Sequence, residues 1–304
     1  MGAVPLSAGR GSGAGDRPPG EPRLIGYAYL LPAFAVFFCF VLLPLAHAAY
    51  LSLWHWDGLT VATWAGLDNY GDVLSDDELR GAFVHALILL IFYSVLPVLI
   101  GLGLAGIMAR ARVRGLAFFR TILFLPQVIA MVVVAVMWKM IYDPANGALN
   151  RALGWVGIPG QSWLGDFSLA LPSIGLVATW VYYGLAMVLL TAGVQKIPTS
   201  LYDAARVDGA GAFREFLAVT LPALRGEIAV ALTLTTIYAL RNFDLVYITT
   251  HGGPGNATSV PAFQVFTRAF ETGQVGSAAA VGITLTAIIF LISLGINRFS
   301  ERAV

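Results

Sequence analysis

A chain of 304 residues that is 58% hydrophobic and only 12% charged, with a mean hydropathy of +0.78, is too poor in charge for a soluble domain of its length, which carries about a quarter charged residues. The formal net charge of +1 gives no footprint for nucleic acid, and a single cysteine, Cys39 in an apolar run, excludes an internal disulfide and any multi-cysteine metal site. The composition is that of an all-α integral membrane protein.

Residues 1–23, rich in Gly, Ala, Pro and Arg and without an apolar stripe, read as a disordered tail. Residues 24–53 are too long for a signal-peptide core and show no cleavage site, so they predict an uncleaved first span, with Trp54 and Trp56 at an interface. About 20 apolar residues cross a bilayer core. Runs of that order near 81–109, 116–142, 170–194, 223–248 and 276–297 bring the total to six transmembrane helices, with both termini on one side. The outer loops become 54–80, 143–169 and 249–275. Within them, amphipathic pieces at 76–83 and 261–270 are expected to lie along the membrane surface.

Basic residues orient the six spans. Arg10, Arg17 and Arg23 precede the first; Arg110, Arg112, Arg114 and Arg120 lie between the second and third. Lys196, Arg206, Arg214 and Arg225 flank the fourth-to-fifth connection, and Arg298 and Arg302 close the chain. All fall on one side, which is therefore cytoplasmic. The first outer loop is acidic instead, with Asp57, Asp68, Asp72, Asp76, Asp77 and Glu78 opposed only by Arg80.

Two polar features stand out. The first, residues 201–224, falls on the cytoplasmic side. Ser200 is placed to cap a short helix through Asp203, Ala204, Ala205 and Val207, which breaks near Gly209 and Gly211. A second helix carries Phe213, Phe216, Leu217 and Thr220 on one face, and Pro222 then marks a bend or the first turn of the next helix. Two short helices at an angle form a knob that a partner's cleft can grip.

The second feature lies within the fourth and fifth spans. Trp180, Tyr182 and Tyr183 interrupt a helix of small and aliphatic residues; Thr235, Thr236, Tyr238, Arg241, Asn242 and Asp244 interrupt the next. Spacings of three and four put Thr235, Tyr238 and Asn242 on one face of a continuous helix. Ionisable groups in a span face a cavity or a partner, and aromatic faces with hydroxyl and amide rims suit a sugar. Two structural alternatives stand beside this solute path: an i,i+3 ion pair between Arg241 and Asp244, and packing of the aromatics against a partner chain.

Chemistry for an enzyme is missing. A phosphate-binding loop needs Gly-x4-Gly-Lys-Ser/Thr, but the only lysines, Lys139 and Lys196, precede Met140 and Ile197. Energy must come from another subunit or a gradient. His47, His55, His85 and His251 are scattered without ligand-pair spacing. A membrane enzyme acting on a lipid-linked substrate, the alternative of another class, lacks a catalytic constellation.

Asp203-Ala204-Ala205, Gly209 and Val219-x-Leu221-Pro222 resemble the EAA loop of ABC-importer permeases, with Asp203 on a shorter arm where that family usually has Glu. Residues 119–126 (Phe-Arg-Thr-Ile-Leu-Phe-Leu-Pro), Trp138 and Gly147-x-Leu149-Asn150 resemble the third helix and outer loop of the carbohydrate branch, which includes the maltose and glycerol-phosphate importers. Residues 249–254 (Thr-Thr-His-Gly-Gly-Pro), Thr258, and the glycines after Phe270 follow the same branch, in order. The resemblance implies the type I importer permease fold, with a coupling helix at Asp203, Ala204, Ala205, Gly209, Leu221 and Pro222. It also implies a heterodimer with a second permease, a pair of ATPase subunits that bind ATP and Mg, an external solute-binding protein, and no cofactor in this chain. Asn242 aligns with a sugar-contacting asparagine of the maltose system. A sugar is the expected solute, with glycerol-3-phosphate or another small anion as the alternative.

Overall fold

The computed structural model describes residues 25–110 and 115–301. The tail assigned to residues 1–23, together with Arg112, Arg114 and Arg302, lies outside the described residues. The chain divides into two compact units, Met1–His47 and Ala48–Val304.

The first unit contributes most of α1 (Tyr27–Leu51), one helix long and apolar enough to cross a membrane. It widens by one residue at Phe38–Leu42, where the N–H of Leu43 reaches back to Phe38 O. Pro44 follows directly. Proline has no N–H to give and its ring crowds the carbonyl four residues back, so the preceding N–H takes the carbonyl five back.

The second unit opens with a hairpin, β1 (Trp54–His55) against β2 (Thr63–Trp64), and a short helix α2 (Asp68–Ser75). Then come α3 (Asp77–Met108), α4 (Leu116–Val128), α5 (Met131–Ile141), α6 (Ala148–Trp155) and α7 (Ala170–Val194). The rest is α8 (Thr199–Val207), α9 (Ala212–Ala223) and α10 (Arg225–Leu240), α11 (Asp244–Thr249), α12 (Pro261–Phe266) and α13 (Val275–Glu301). Four described helices are long and apolar enough to span, and six spans result if each of two bent pairs counts as one.

Several boundaries differ from expectation. The third span is bent by 93° between α4 and α5, where Ile129 and Ala130 turn extended. The fifth is bent by 71° ahead of α10 and broken again after Leu240, so 223–248 is not one helix. Residues 76–83 are not a separate helix: Asp76 caps α3, accepting from Glu78 N at 2.9 Å, and the long helix runs on from Asp77. Residues 261–270 rest on the bundle through one face, with Pro261, Phe263 and Gln264 buried and Phe270 exposed. The proline rule of α1 recurs in α3, where Leu96 N–H bonds Ile91 O before Pro97, and in α9, where Leu221 N–H bonds Phe216 O before Pro222.

α7, apolar on every side, is the buried axis of this unit, as such a helix must be. Small residues let backbones approach it: a Cβ on Gly101 of α3 would come within 2.8 Å of Met187 N. Hydroxyls cross between helices, Thr179 Oγ1 donating to Phe92 O at 2.6 Å. At one end of α3, the hairpin, α2 and the segment before α13 pack together, with Gly276 N bonded to Trp56 O at 3.2 Å. At the other end lie the start of α4, the end of α7, and α8 and α9. The hairpin and the knob thus lie at opposite ends of α3.

Candidate functional site

The knob is built largely as its residues suggested. α8 breaks at Gly209, whose φ of +76° falls in the left-handed region that a side chain disfavours. The cap is a correction: α8 begins at Thr199 behind Pro198, with no side-chain cap, so Ser200 lies inside the first turn. Pro222 sits in the last turn of α9, and the bend comes two residues later, at Leu224.

Arg206 holds the two helices together, 3.3 Å from Asp203 in its own helix and 3.5 Å from Glu215 of α9. Asp203 is thus an i,i+3 partner of Arg206 on an exposed surface, a weak pair, while Glu215 is buried. Tyr202 Oη and Thr220 Oγ1 add a bond of 3.1 Å. Ala204 and Gly209 are exposed, Ala205 is half-buried, and Leu221 packs on the core that holds Leu190, Val194 and Leu224.

The base of the knob is clipped as well. Lys196 Nζ donates to Glu227 Oε1 at 3.1 Å, joining the end of α7 to the start of α10. Gly193 gives the room for this, since a Cβ there would lie 2.6 Å from Leu224 Cδ2 and 2.7 Å from Glu227 Cγ. Nearby, the amide oxygen of Gln195 accepts from both Nη atoms of Arg120, at 3.1 and 3.2 Å. A cavity of about 900 Å3 opens behind the knob, lined by Gly106, Arg120, Gln195, Tyr202, Arg206 and Glu215 among others.

The second site centres on the break at residues 241–243. Asn242 is 6% exposed, and its Nδ2 has no hydrogen-bond partner among the described residues. Arg241 caps α10 and is exposed, and Asp244 opens α11, also exposed. The i,i+3 reading of these two assumed a continuous helix. No ion pair joins them among the described residues.

The expected common face of Thr235, Tyr238 and Asn242 is likewise overturned, because α10 ends before Asn242. Thr235 is fully buried, its Oγ1 2.8 Å from both Ser94 Oγ of α3 and Ala231 O, so its hydroxyl serves helix packing. Thr236 meets the same serine at 3.3 Å. Tyr238 is 40% exposed and stacks on Tyr182 at 5.2 Å, with the rings 15° apart. Trp180 meets Trp138 of α5 edge-on at 5.6 Å, and Tyr183 is half-buried.

The sequence reading passed over Tyr93. It lies in the wide turn of α3, its ring 5.3 Å from Tyr182, buried, with a hydroxyl that has no bonded partner among the described residues. Tyr93, Tyr182 and Tyr238 thus form a ladder from α3 through α7 to α10. Pro97, four residues on, was the available signal, since a proline in a span frees backbone groups and re-aims the side chains before it.

A model of the family described as "Binding-protein-dependent transport system inner membrane component" matches residues 98–304. The probable ABC transporter permease protein YurN of Bacillus subtilis is 36% identical over 283 residues, covering 92% of this chain and 97% of the relative. The trehalose/maltose transport system permease protein MalF of Thermococcus litoralis is 32% identical over 284 residues, 90% and 94% of the two chains. Among solved structures, a bacterial ABC transporter involved in the import of the acidic polysaccharide alginate superposes with a TM-score of 0.77, covering 91% of this chain and 95% of that one. At 23% identity it supports the fold. The expected type I permease fold agrees with these matches: this chain belongs to the binding-protein-dependent transport system inner membrane component family, a multi-pass permease subunit of an ABC importer and not an enzyme.

Proposed function

We propose that this permease carries a sugar through a path at the 241–243 break, powered by a separate ATPase gripping the α8–α9 knob. That ATPase holds ATP and Mg. A second, homologous permease completes the pore, an external solute-binding protein delivers the sugar, and both termini of this chain lie in the cytoplasm. The observation that carries the solute reading is Asn242: a buried amide donor with no bonded partner among the described residues, in a break between two helices, four residues after the Tyr238 that stacks on Tyr182. A buried amide left without a partner is costly unless a ligand or water completes it. An amide both donates and accepts, which suits adjacent sugar hydroxyls, and stacked aromatic rings suit the apolar face of a sugar ring. The trehalose/maltose relative supports a neutral sugar.

Asn242→Ala tests this in vesicles holding the assembled importer. Losing one hydrogen bond of roughly 0.5–1.5 kcal/mol predicts a threefold to tenfold drop in apparent affinity for a neutral sugar, with assembly and basal ATP hydrolysis unchanged. Unchanged uptake through saturation removes Asn242 from the path. A small anion such as glycerol-3-phosphate is the second reading, favoured by the exposed Arg241 and opposed by the equally exposed Asp244. It predicts that Arg241→Ala, rather than Asn242→Ala, abolishes uptake.

A further inference from the structure

The chain returns from α11 to α13 through residues 258–274, at the end of α3 opposite the knob, and this return is tied to the first turns of α3. Gln264, 2% exposed, donates through Nε2 to Glu78 Oε1 at 2.6 Å and to Ser259 Oγ at 2.8 Å. His85 Nδ1 lies 2.9 Å from Ser259 O. Arg268 pairs through Nη2 with Asp76 Oδ2, and through Nη1 donates to Ser277 Oγ of α13 at 2.9 Å. The two side chains of the ion pair are 13% and 33% exposed. Burial favours the neutral form of Asp76, but the hydrogen bond and charge of Arg268 and the N–H of Glu78 outweigh it, so the carboxyl sits below its ordinary range and is charged at neutral pH.

The same return carries an aromatic face. Phe266 meets Phe243 at 5.3 Å and Tyr247 at 5.2 Å, and Phe263 meets His251 at 5.3 Å. Phe243 is the residue after Asn242. A short helix pinned by charge at one end thus rests its rings on the break that carries the unpartnered amide.

We propose that α12 is an outer lid over the 241–243 break and that Asp76 and Arg268 form its latch, closed here and released when the path opens outward. The solute reading enters only in what lies beneath the lid. The pair is built to part without collapse. Asp76 remains the cap of α3 through Oδ1, and Arg268 retains Ser277, so parting the ion pair leaves both helices intact; the Gln264–Glu78 and His85–Ser259 bonds are the further contacts that α12 gives up as it lifts. A gate requires an element that can take two such positions.

Amide hydrogen exchange on the complete importer in lipid tests the latch. Asp76→Asn keeps the cap acceptor and removes the charge; Arg268→Gln removes the partner. In each, amides of 258–271 and 241–249 should exchange together roughly fivefold faster, while those of α7 and the knob stay unchanged. The unaltered importer, trapped with vanadate on its loaded binding protein, should show the same pattern, an arm that does not depend on either variant folding. Lid exchange unchanged in both variants overturns the latch. So does a uniform acceleration that includes α7, or a trapped complex whose lid stays as protected as at rest. Asn242→Ala should leave the lid response as it is, so a failed solute site and a failed latch give different results.

Discussion

Arg241, Asn242 and Asp244 stand within four positions and meet different surroundings: an exposed helix cap, a buried break, and the exposed first turn of α11. Because no ion pair couples the two charges, their substitutions should act independently. For a neutral sugar, neither Arg241→Ala nor Asp244→Ala should then be rescued by the other in the double variant, as the two halves of a structural pair would be. A double variant that recovers uptake lost by either single change would reinstate a structural pair. Thr235 teaches the converse. A hydroxyl on a polar stripe looked ready for solute, yet it closes a buried contact with Ser94, because in an apolar span a hydroxyl near another hydroxyl finds its partner there.

At the scale of elements, the knob is a cross-braced pair of short helices. Arg206 to Glu215 and Tyr202 to Thr220 hold the two arms, and Lys196 to Glu227 closes the base; in the coupling role proposed above, these are the contacts through which a push on α8 would pass to α7 and α10. The turn itself depends on Gly209. Among the described residues, no atom apart from its own chain neighbours lies within 4 Å of where its Cβ would be, so the constraint is the positive φ alone. Gly209→Val then costs roughly 1–2 kcal/mol of backbone strain, confined to the turn. We expect the variant to reach the membrane in normal amount while uptake and binding-protein-stimulated ATP hydrolysis fall together. Gly209→Asn should be milder, because Asn tolerates the left-handed region. Normal stimulated hydrolysis and uptake in Gly209→Val would refute a coupling role for this turn.

For the whole molecule, topology makes the sharpest prediction. Reporter fusions at Gly71, Gly160 and Gly255 should report the outside, and fusions at Gly115 and Gly209 the inside; a Gly209 fusion that reports outside would take the knob away from any cytoplasmic ATPase. Membrane residence, a set of four to six apolar spanning helices in the expected order, and the turn of the knob at Gly209 were legible in the residues. Each rests on local quantities: apolar runs of spanning length, arginine asymmetry, and a Gly-Pro punctuation spaced over twenty residues. The path was legible only in part. Periodicity assumes a straight helix, and the breaks at 129–130 and 241–243 invalidate it just where the chemistry lies. Whether an amide such as that of Asn242 is buried without a partner, whether Thr235 faces solute or Ser94, and whether Arg268 reaches Asp76 across 192 positions are set by which surfaces meet. A local pattern says which side chains are polar; only the packing of distant helices decides which of them are left to bind something else.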